Sequence, residues 1–178
     1  MSLLVAAKIN MRIIGVDPGN AVTGFGVVER RDAMTYIAAG AIRGNGMPRG
    51  PRRLAALYQR LLNVIDEYAP EAMSLERSFV AANVQSAFAL GEARAVAMLA
   101  AAHRNIPVFE YMPTDVKLTV AGYGRADKVQ VKRMVRQTLV LDETVTLTDD
   151  ASDALAIALC HLFRARMGQA IRDAAGRA

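Results

Sequence analysis

The chain has 178 residues, of which 53% are hydrophobic and 22% are charged, and this composition is typical of one soluble globular domain. No run reaches the roughly 18 consecutive apolar residues of a membrane span, so we expect no membrane segment. The net charge of +5 favours a polyanionic partner. The single cysteine, Cys160, excludes an intrachain disulfide and a cysteine-based metal site, and it fits a reducing cytoplasm.

The first part of the chain predicts three consecutive strands. A short buried strand over residues 12–17 ends on Asp17, and a Pro-Gly turn signal follows it. Residues 22–29 and 34–43 form the next two β-rich runs. The short connections between the three runs predict an antiparallel meander.

The remaining elements alternate between helices and short strands. Helical patterns cover residues 52–68, 81–104, 113–120, 127–140 and 149–167, and strand patterns cover residues 72–76 and 106–110. This order predicts an α/β fold with a mixed sheet and helices on both faces. Residues 1–10 are expected to be an N-terminal extension, residues 11–167 the folded domain, and residues 168–178 a basic, flexible tail.

Four acidic residues stand at positions where separate elements can bring them together. Asp17 and Glu76 each end a predicted strand, and neighbouring strand ends in an α/β sheet are where sites form. Asp150 and Asp153 are three residues apart in the first turn of the last helix, so they share one helix face. Asp149 faces elsewhere and is expected to act as a cap or first-turn acid.

Gathered carboxylates repel one another unless a cation compensates them. Hard oxygen ligands of this kind suit Mg²⁺ or Mn²⁺, and a pair of such ions can support hydrolysis of a phosphodiester. Each acid also has an ordinary structural explanation. An Asp before Pro-Gly is a common turn residue, a Glu at a strand end is usually solvated, and first-turn acids commonly complement the helix dipole. The pattern alone leaves both interpretations open.

The long helix over residues 81–104 carries small residues on one face. Ala87, Gly91 and Ala95 follow one another at intervals of four, and a glycine inside a helix costs about 1 kcal/mol relative to alanine. Close packing would justify this face, either against the chain's own sheet or against a helix of a second copy.

Several motifs of the chain resemble those of the RuvC family of Holliday junction resolvases. In chain order they are IGVDPG at 14–19, LERSF at 75–79, ALGEAR at 89–94, VK at 116–117, ADK at 126–128 and DASDALAIA at 150–158. The resemblance extends over residues 11–166 in the family's order, and such an ordered set is far more specific than a lone Asp-Pro-Gly.

The resemblance implies an RNase H-like fold and a homodimer in which each subunit nicks one strand of a four-way DNA junction. It implies that Asp17, Glu76, Asp150 and Asp153 are the catalytic residues and bind Mg²⁺ or Mn²⁺, with two ions per site. It also implies a role in DNA recombination and repair, with a RuvA–RuvB branch-migration complex as partner. The helix over residues 81–104 matches the family's dimer contact.

The resemblance also implies which residues contact DNA. Phe79 matches an aromatic residue beside the separated strands at the junction centre, where a phenyl ring can stack on an unpaired base. Lys117 and Lys128 match basic residues near the scissile phosphate. Arg77 lies next to Glu76, and its charge can stabilise that carboxylate or contact phosphate.

Two other functions are compatible with the same acids. One is a related RNase H-like nuclease that acts on RNA or an RNA–DNA hybrid. The other is a basic junction-binding protein without activity, which the retained acids disfavour because uncompensated negative charge weakens binding to DNA.

Overall fold

The computed structural model describes residues 11–19, 21–44, 46–77 and 83–175. Its strands are β1 (Met11–Asp17), β2 (Val22–Arg30), β3 (Met34–Arg43), β4 (Ala72–Glu76) and β5 (Val108–Tyr111). Its helices are α1 (Pro51–Tyr68), α2 (Val84–His103), α3 (Pro113–Ala121), α4 (Lys128–Thr138) and α5 (Asp149–Ala175). In this part of the chain, no helix combines the length and the apolar character needed to cross a membrane.

The strands form one mixed sheet in the order β3-β2-β1-β4-β5. β1, β2 and β3 pair antiparallel, which confirms the predicted meander. β4 pairs parallel with β1, and β5 pairs parallel with β4. The ends of β1, β4 and β5 therefore meet at one edge of the sheet, because parallel strands finish on the same side.

Helices cover both faces of the sheet, as the order of elements predicted. One apolar core joins Ile14, Val16 and Met73 to buried residues of α1 and α2. The other joins Ile13 and Ala72 to α3, α4 and the buried length of α5. Successive strand residues point to opposite faces, so the two cores alternate along each central strand.

Helix α5 lies directly on the central strands. A Cβ atom built on Gly15 would stand 2.0 Å from the carbonyl oxygen of Ala154, and one on Gly24 would stand 2.0 Å from that of Asp150. No side chain fits in either gap, so these two glycines let the backbone of α5 approach β1 and β2. Cys160, on the same helix, is fully buried.

The helix boundaries differ from the predicted ones in places. The last helix was expected to end near residue 167, but α5 continues to Ala175, so the predicted end of this helix is wrong. The sequence of residues 168–175 contains alanine, glutamine and arginine, which favour helix, and the charge of the segment was a poor guide to its conformation. Helix α2 begins at Val84, after residue 81, and Asn83 caps it by accepting a hydrogen bond from the Ser86 amide at 2.9 Å.

Candidate metal-dependent active site

The ends of β1 and β4 bring Asp17 and Glu76 to one side of the sheet. Val16 pairs with Leu75 in the parallel ladder, and both are buried under α1 and α2. The next residue on each strand is the acid, and alternation turns it to the opposite face, toward α5. Ser74 supports this arrangement from the same face as Glu76, since its hydroxyl lies 3.2 Å from the carbonyl oxygen of Ile157 on α5.

The first turns of α5 supply the other two acids. Thr148 caps the helix, with its hydroxyl oxygen 3.3 Å from the amide of Ala151. The close approach at Gly24 sets the backbone of Asp150 against β2. Asp149 points away from this region and pairs with Lys132 at 2.9 Å, which confirms that it does not join the other acids.

An open cleft of about 290 Å³ lies between these elements. Its charged lining residues are Asp17, Glu76, Asp153, Lys117 and Lys128. Asp150 is half-buried beside the cleft and is not among its lining residues, although its charge reaches the Asp17 carboxyl group. Folding therefore groups all four predicted acids, with three facing the cleft directly.

The acids destabilise one another's ionised forms. Burial is the largest cause that raises the pKa of Asp17 from 3.8 to about 7. The charges of Glu76, Asp153 and Asp150 raise it further, in that order. Lys128 lowers it without cancelling the rise. The pKa of Glu76 is raised as well, first by burial and then by Asp153. Such a cluster attracts a cation.

Lysines partly neutralise the cluster. The ammonium group of Lys128 lies 3.0 Å from a carboxylate oxygen of Asp153, and three quarters of the lysine side chain is exposed. Lys128 and Lys117 both oppose the rise in the pKa of Glu76. Among the described residues, no group of three or more His, Cys, Asp or Glu side chains is gathered closely enough to hold a metal ion. Mutual repulsion and the Lys128 ion pair give a physical reason for that separation.

The donor set nevertheless fits a hard divalent cation. All four groups are carboxylates, which suit Mg²⁺ and Mn²⁺ better than softer metals. Asp17 has a carboxylate whose burial and neighbours disfavour its charge, and a bound cation would relieve this cost.

The other predicted DNA-contact residues are Arg77 and Phe79. Arg77 is exposed directly after Glu76, at the end of β4. Its amide donates a hydrogen bond to the carbonyl oxygen of Tyr111 at 2.7 Å. Phe79 lies outside the described residues.

One residue of the site had no signal in the sequence. Arg94, on α2, donates a hydrogen bond to the carbonyl oxygen of Glu76 at 3.0 Å and forms an ion pair with Glu110 on β5. The three residues are far apart in the chain, so no local spacing indicated the contact. Arg94 belongs to one of the family-like motifs, but that match pointed to the helix as a whole.

The two histidines take no part in the cleft. His161 is buried on α5, with its Nδ1 atom 2.7 Å from the hydroxyl oxygen of Tyr111. His103 ends α2 and contacts Tyr58.

Comparison with known proteins identifies the family of the chain. The family model described as crossover junction endodeoxyribonuclease RuvC matches residues 13–161. The RuvC protein of Chloroflexus aggregans is 49% identical over 157 residues, which cover 87% of this chain and 94% of that protein. The RuvC protein of Moorella thermoacetica is 44% identical over 168 residues, which cover 94% of this chain and all of that protein.

Solved structures give the same result for the fold. The structure of Thermus thermophilus RuvC in complex with a Holliday junction substrate superposes with a TM-score of 0.81 and 34% identity, covering 89% of this chain and 97% of that one. The yeast mitochondrial Holliday junction resolvase Ydc2 shares the fold at 12% identity and a TM-score of 0.62, covering 86% of this chain and 80% of its own. Its sheet, its acid cluster and these similarities together place the chain in the RuvC family of crossover junction endodeoxyribonucleases.

Proposed function

We propose that the protein resolves four-way DNA junctions by paired, symmetric nicks during recombination and repair. The observation that carries this proposal is the grouping of Asp17, Glu76, Asp150 and Asp153 around one cleft, on strands β1 and β4 and helix α5. A relative of the same fold, 34% identical, has been solved with a Holliday junction substrate.

The four carboxylates are proposed to bind two Mg²⁺ ions, or Mn²⁺ in their place. When bound, such a pair activates water for attack on the phosphodiester and stabilises the leaving oxygen. The chain's own contribution is to hold the acids on separate elements, β1, β4 and α5, around one cleft. Lys128 contacts one carboxylate oxygen of Asp153 at 3.0 Å, so the other oxygen of that carboxylate remains available for ligation.

Basic residues beside the acids are proposed to hold the DNA backbone. Lys117 lines the cleft, and the exposed ammonium of Lys128 can move from Asp153 to a phosphate oxygen. Arg77 stands exposed at the end of β4. We place Phe79 at the junction centre by the family resemblance alone.

A homodimer is proposed to supply the second nick. Two active sites related by a two-fold axis suit a junction, because symmetric nicks in paired strands separate it into two duplexes. A RuvA–RuvB branch-migration complex is the proposed partner, and the cytoplasm, where the DNA lies, is the proposed location.

The decisive experiment compares a labelled synthetic four-way junction with linear duplex of the same sequence. We expect paired nicks in the junction alone, in Mg²⁺ or Mn²⁺ but not in chelator. Asp17→Asn should abolish nicking and preserve junction binding, since it removes a ligand and a repelling charge. Asp149→Asn is the matched control, because that acid pairs with Lys132 outside the cleft. Full nicking by Asp17→Asn would overturn the assignment of this residue.

The same assay separates the remaining alternatives. An RNase H-like nuclease of different specificity would cut RNA or an RNA–DNA hybrid with the same metal dependence. A junction-binding protein without activity would retain the junction and leave every strand intact in both metals.

A further inference from the structure

Arg94 joins three elements at the back of the active site. Its side chain is 19% exposed and lies between α2 and the sheet. One guanidinium nitrogen donates a hydrogen bond to the main-chain carbonyl of Glu76, and the other forms the ion pair with Glu110. Arginine suits this position because its planar fork can hold two acceptors in a fixed geometry.

The Glu76 carbonyl lies at the end of β4, next to the carboxylate that faces the cleft. Glu76 is the last residue of β4, and its pairing partner Tyr111 is the last residue of β5. Beyond this pair one backbone bond still holds the chain to β5, from the Arg77 amide to the Tyr111 carbonyl at 2.7 Å. The Glu76 carbonyl belongs to the same peptide unit, and Arg94 is its side-chain hydrogen-bond donor. Because the carbonyl and the side chain leave neighbouring backbone atoms of the same residue, a fixed carbonyl restricts the directions in which the Glu76 carboxylate can point.

The charge of Arg94 is balanced without use of the catalytic acids. Glu110 precedes Tyr111 on β5, and alternation turns it toward α2, while Tyr111 turns toward α5, where its hydroxyl meets His161. The Arg94–Glu110 pair therefore lies on the opposite side of the sheet from Asp17 and the cleft. Arg94 therefore contacts Glu76 through its backbone carbonyl, on the side of the sheet away from the cleft.

We infer that Arg94 is a positioning residue that holds the end of β4 so that the Glu76 carboxylate is directed at the metal site. The inference rests on the proposed function, in which Glu76 is a metal ligand. Partners that orient a metal ligand typically change metal affinity or activity by about 10- to 100-fold when they are removed.

Two substitutions of Arg94 and one control test the inference. Arg94→Gln removes the charge and the fork. Arg94→Lys keeps the ion pair with Glu110 but cannot hold both acceptors. It should therefore keep the chain folded while it loses the hydrogen bond to the Glu76 carbonyl. Arg104→Gln is the matched control. Arg104 directly follows the C-terminal end of α2 and forms a bidentate ion pair with Asp66, at 2.6 and 2.8 Å, away from the cleft.

The readout is Mn²⁺ binding to the full chain by calorimetry without DNA, followed by nicking of a four-way junction across a Mn²⁺ series. In both Arg94 variants we expect the half-saturating Mn²⁺ concentration to rise by about 10- to 100-fold. Junction binding in chelator should stay at the wild-type level in both. Arg104→Gln should lower thermal stability and leave Mn²⁺ binding unchanged.

Glu76→Gln separates failure of this inference from failure of the proposed function. If Glu76→Gln weakens Mn²⁺ binding and a folded Arg94→Lys or Arg94→Gln variant does not, the positioning role is wrong and the ligand assignment stands. If Glu76→Gln binds Mn²⁺ as the wild type does, the ligand assignment falls, and the role of Arg94 falls with it.

Discussion

At the scale of the residue, Asp17 carries a conflict between stability and function. Burial and three neighbouring acids raise its pKa to about 7, so its ionised form is disfavoured in the folded, metal-free protein. In the unfolded chain the group titrates near 3.8. Its contribution to stability is therefore complete below about pH 4 and is lost as the pH rises through about 7.

We accordingly expect Asp17→Asn to be more stable than the wild type at pH 8 in chelator. One pKa unit corresponds to about 1.4 kcal/mol, so the gain should be on the order of 1–3 kcal/mol. The difference should shrink near pH 4, and Mg²⁺ should stabilise the wild type more than the variant. Denaturant titrations at pH 8 and at pH 4 measure this difference in the free energy of unfolding.

Asp149→Asn provides the comparison of opposite sign. The hydrogen bond and charge of Lys132 lower the pKa of Asp149, so its ionised form is favoured by folding. Its removal should slightly reduce stability at pH 8. Equal behaviour of the two variants would contradict the electrostatic account of the cleft.

At the scale of the element, the approach of α5 to the sheet decides where two of the acids lie. Gly24 admits the peptide of Asp150, and Gly15 admits that of Ala154 one turn later. A methyl group at either position would meet backbone, which cannot rotate away as a side chain can.

Gly24→Ala should therefore displace the start of α5. We expect a loss of about 1–3 kcal/mol in the free energy of unfolding, and a larger proportional loss of nicking because Asp150 moves with its backbone. Gly124→Ala is the control, since its added Cβ would have its nearest neighbour at 3.7 Å, an ordinary contact distance. Wild-type stability of Gly24→Ala in denaturant titration would show that α5 tolerates a shift.

At the scale of the whole molecule, the face of α2 that the other described residues leave exposed matters most. The small residues predicted from the sequence, Ala87, Gly91 and Ala95, are exposed, and a Cβ on Gly91 would meet nothing within 4 Å. Val84 and Phe88 near the start of the helix are about 70% exposed. The inward face is occupied by other alanines, so the small face does not pack against the chain's own sheet.

Ala95→Glu should convert the proposed dimer to a monomer. A two-fold axis through this face would bring the two introduced charges close together, and like charges at a buried contact cost several kcal/mol. Sedimentation analysis at the assay concentration measures the change, and single nicks should replace paired nicks. Ala55→Glu makes the same change on an exposed position of α1 and should leave the dimer intact. A monomeric wild-type protein would contradict the paired-nick proposal.

Local patterns were sufficient to predict most of the elements. Strand β3 and strand β4 have the predicted bounds, because alternation and β-rich composition are properties of short windows. The end of α5 was wrong by eight residues, since a basic, small-residue tail can form helix when it continues one already nucleated. The prediction that the side chain of Asp149 points in a different direction from that of Asp150 followed from helical geometry alone.

The sequence by itself predicted a meander within a mixed sheet and the small face of α2, because short connections and residue spacing are local properties. The choice of the four acids also depended on the ordered motifs that resemble the RuvC family. Only the tertiary structure decided how those elements meet. It placed Asp150 beside the cleft and Asp153 within it, paired Lys128 with Asp153, and set Arg94 behind Glu76. These contacts join residues far apart in the chain, so they depend on the sheet order and on how closely α2 and α5 pack against it.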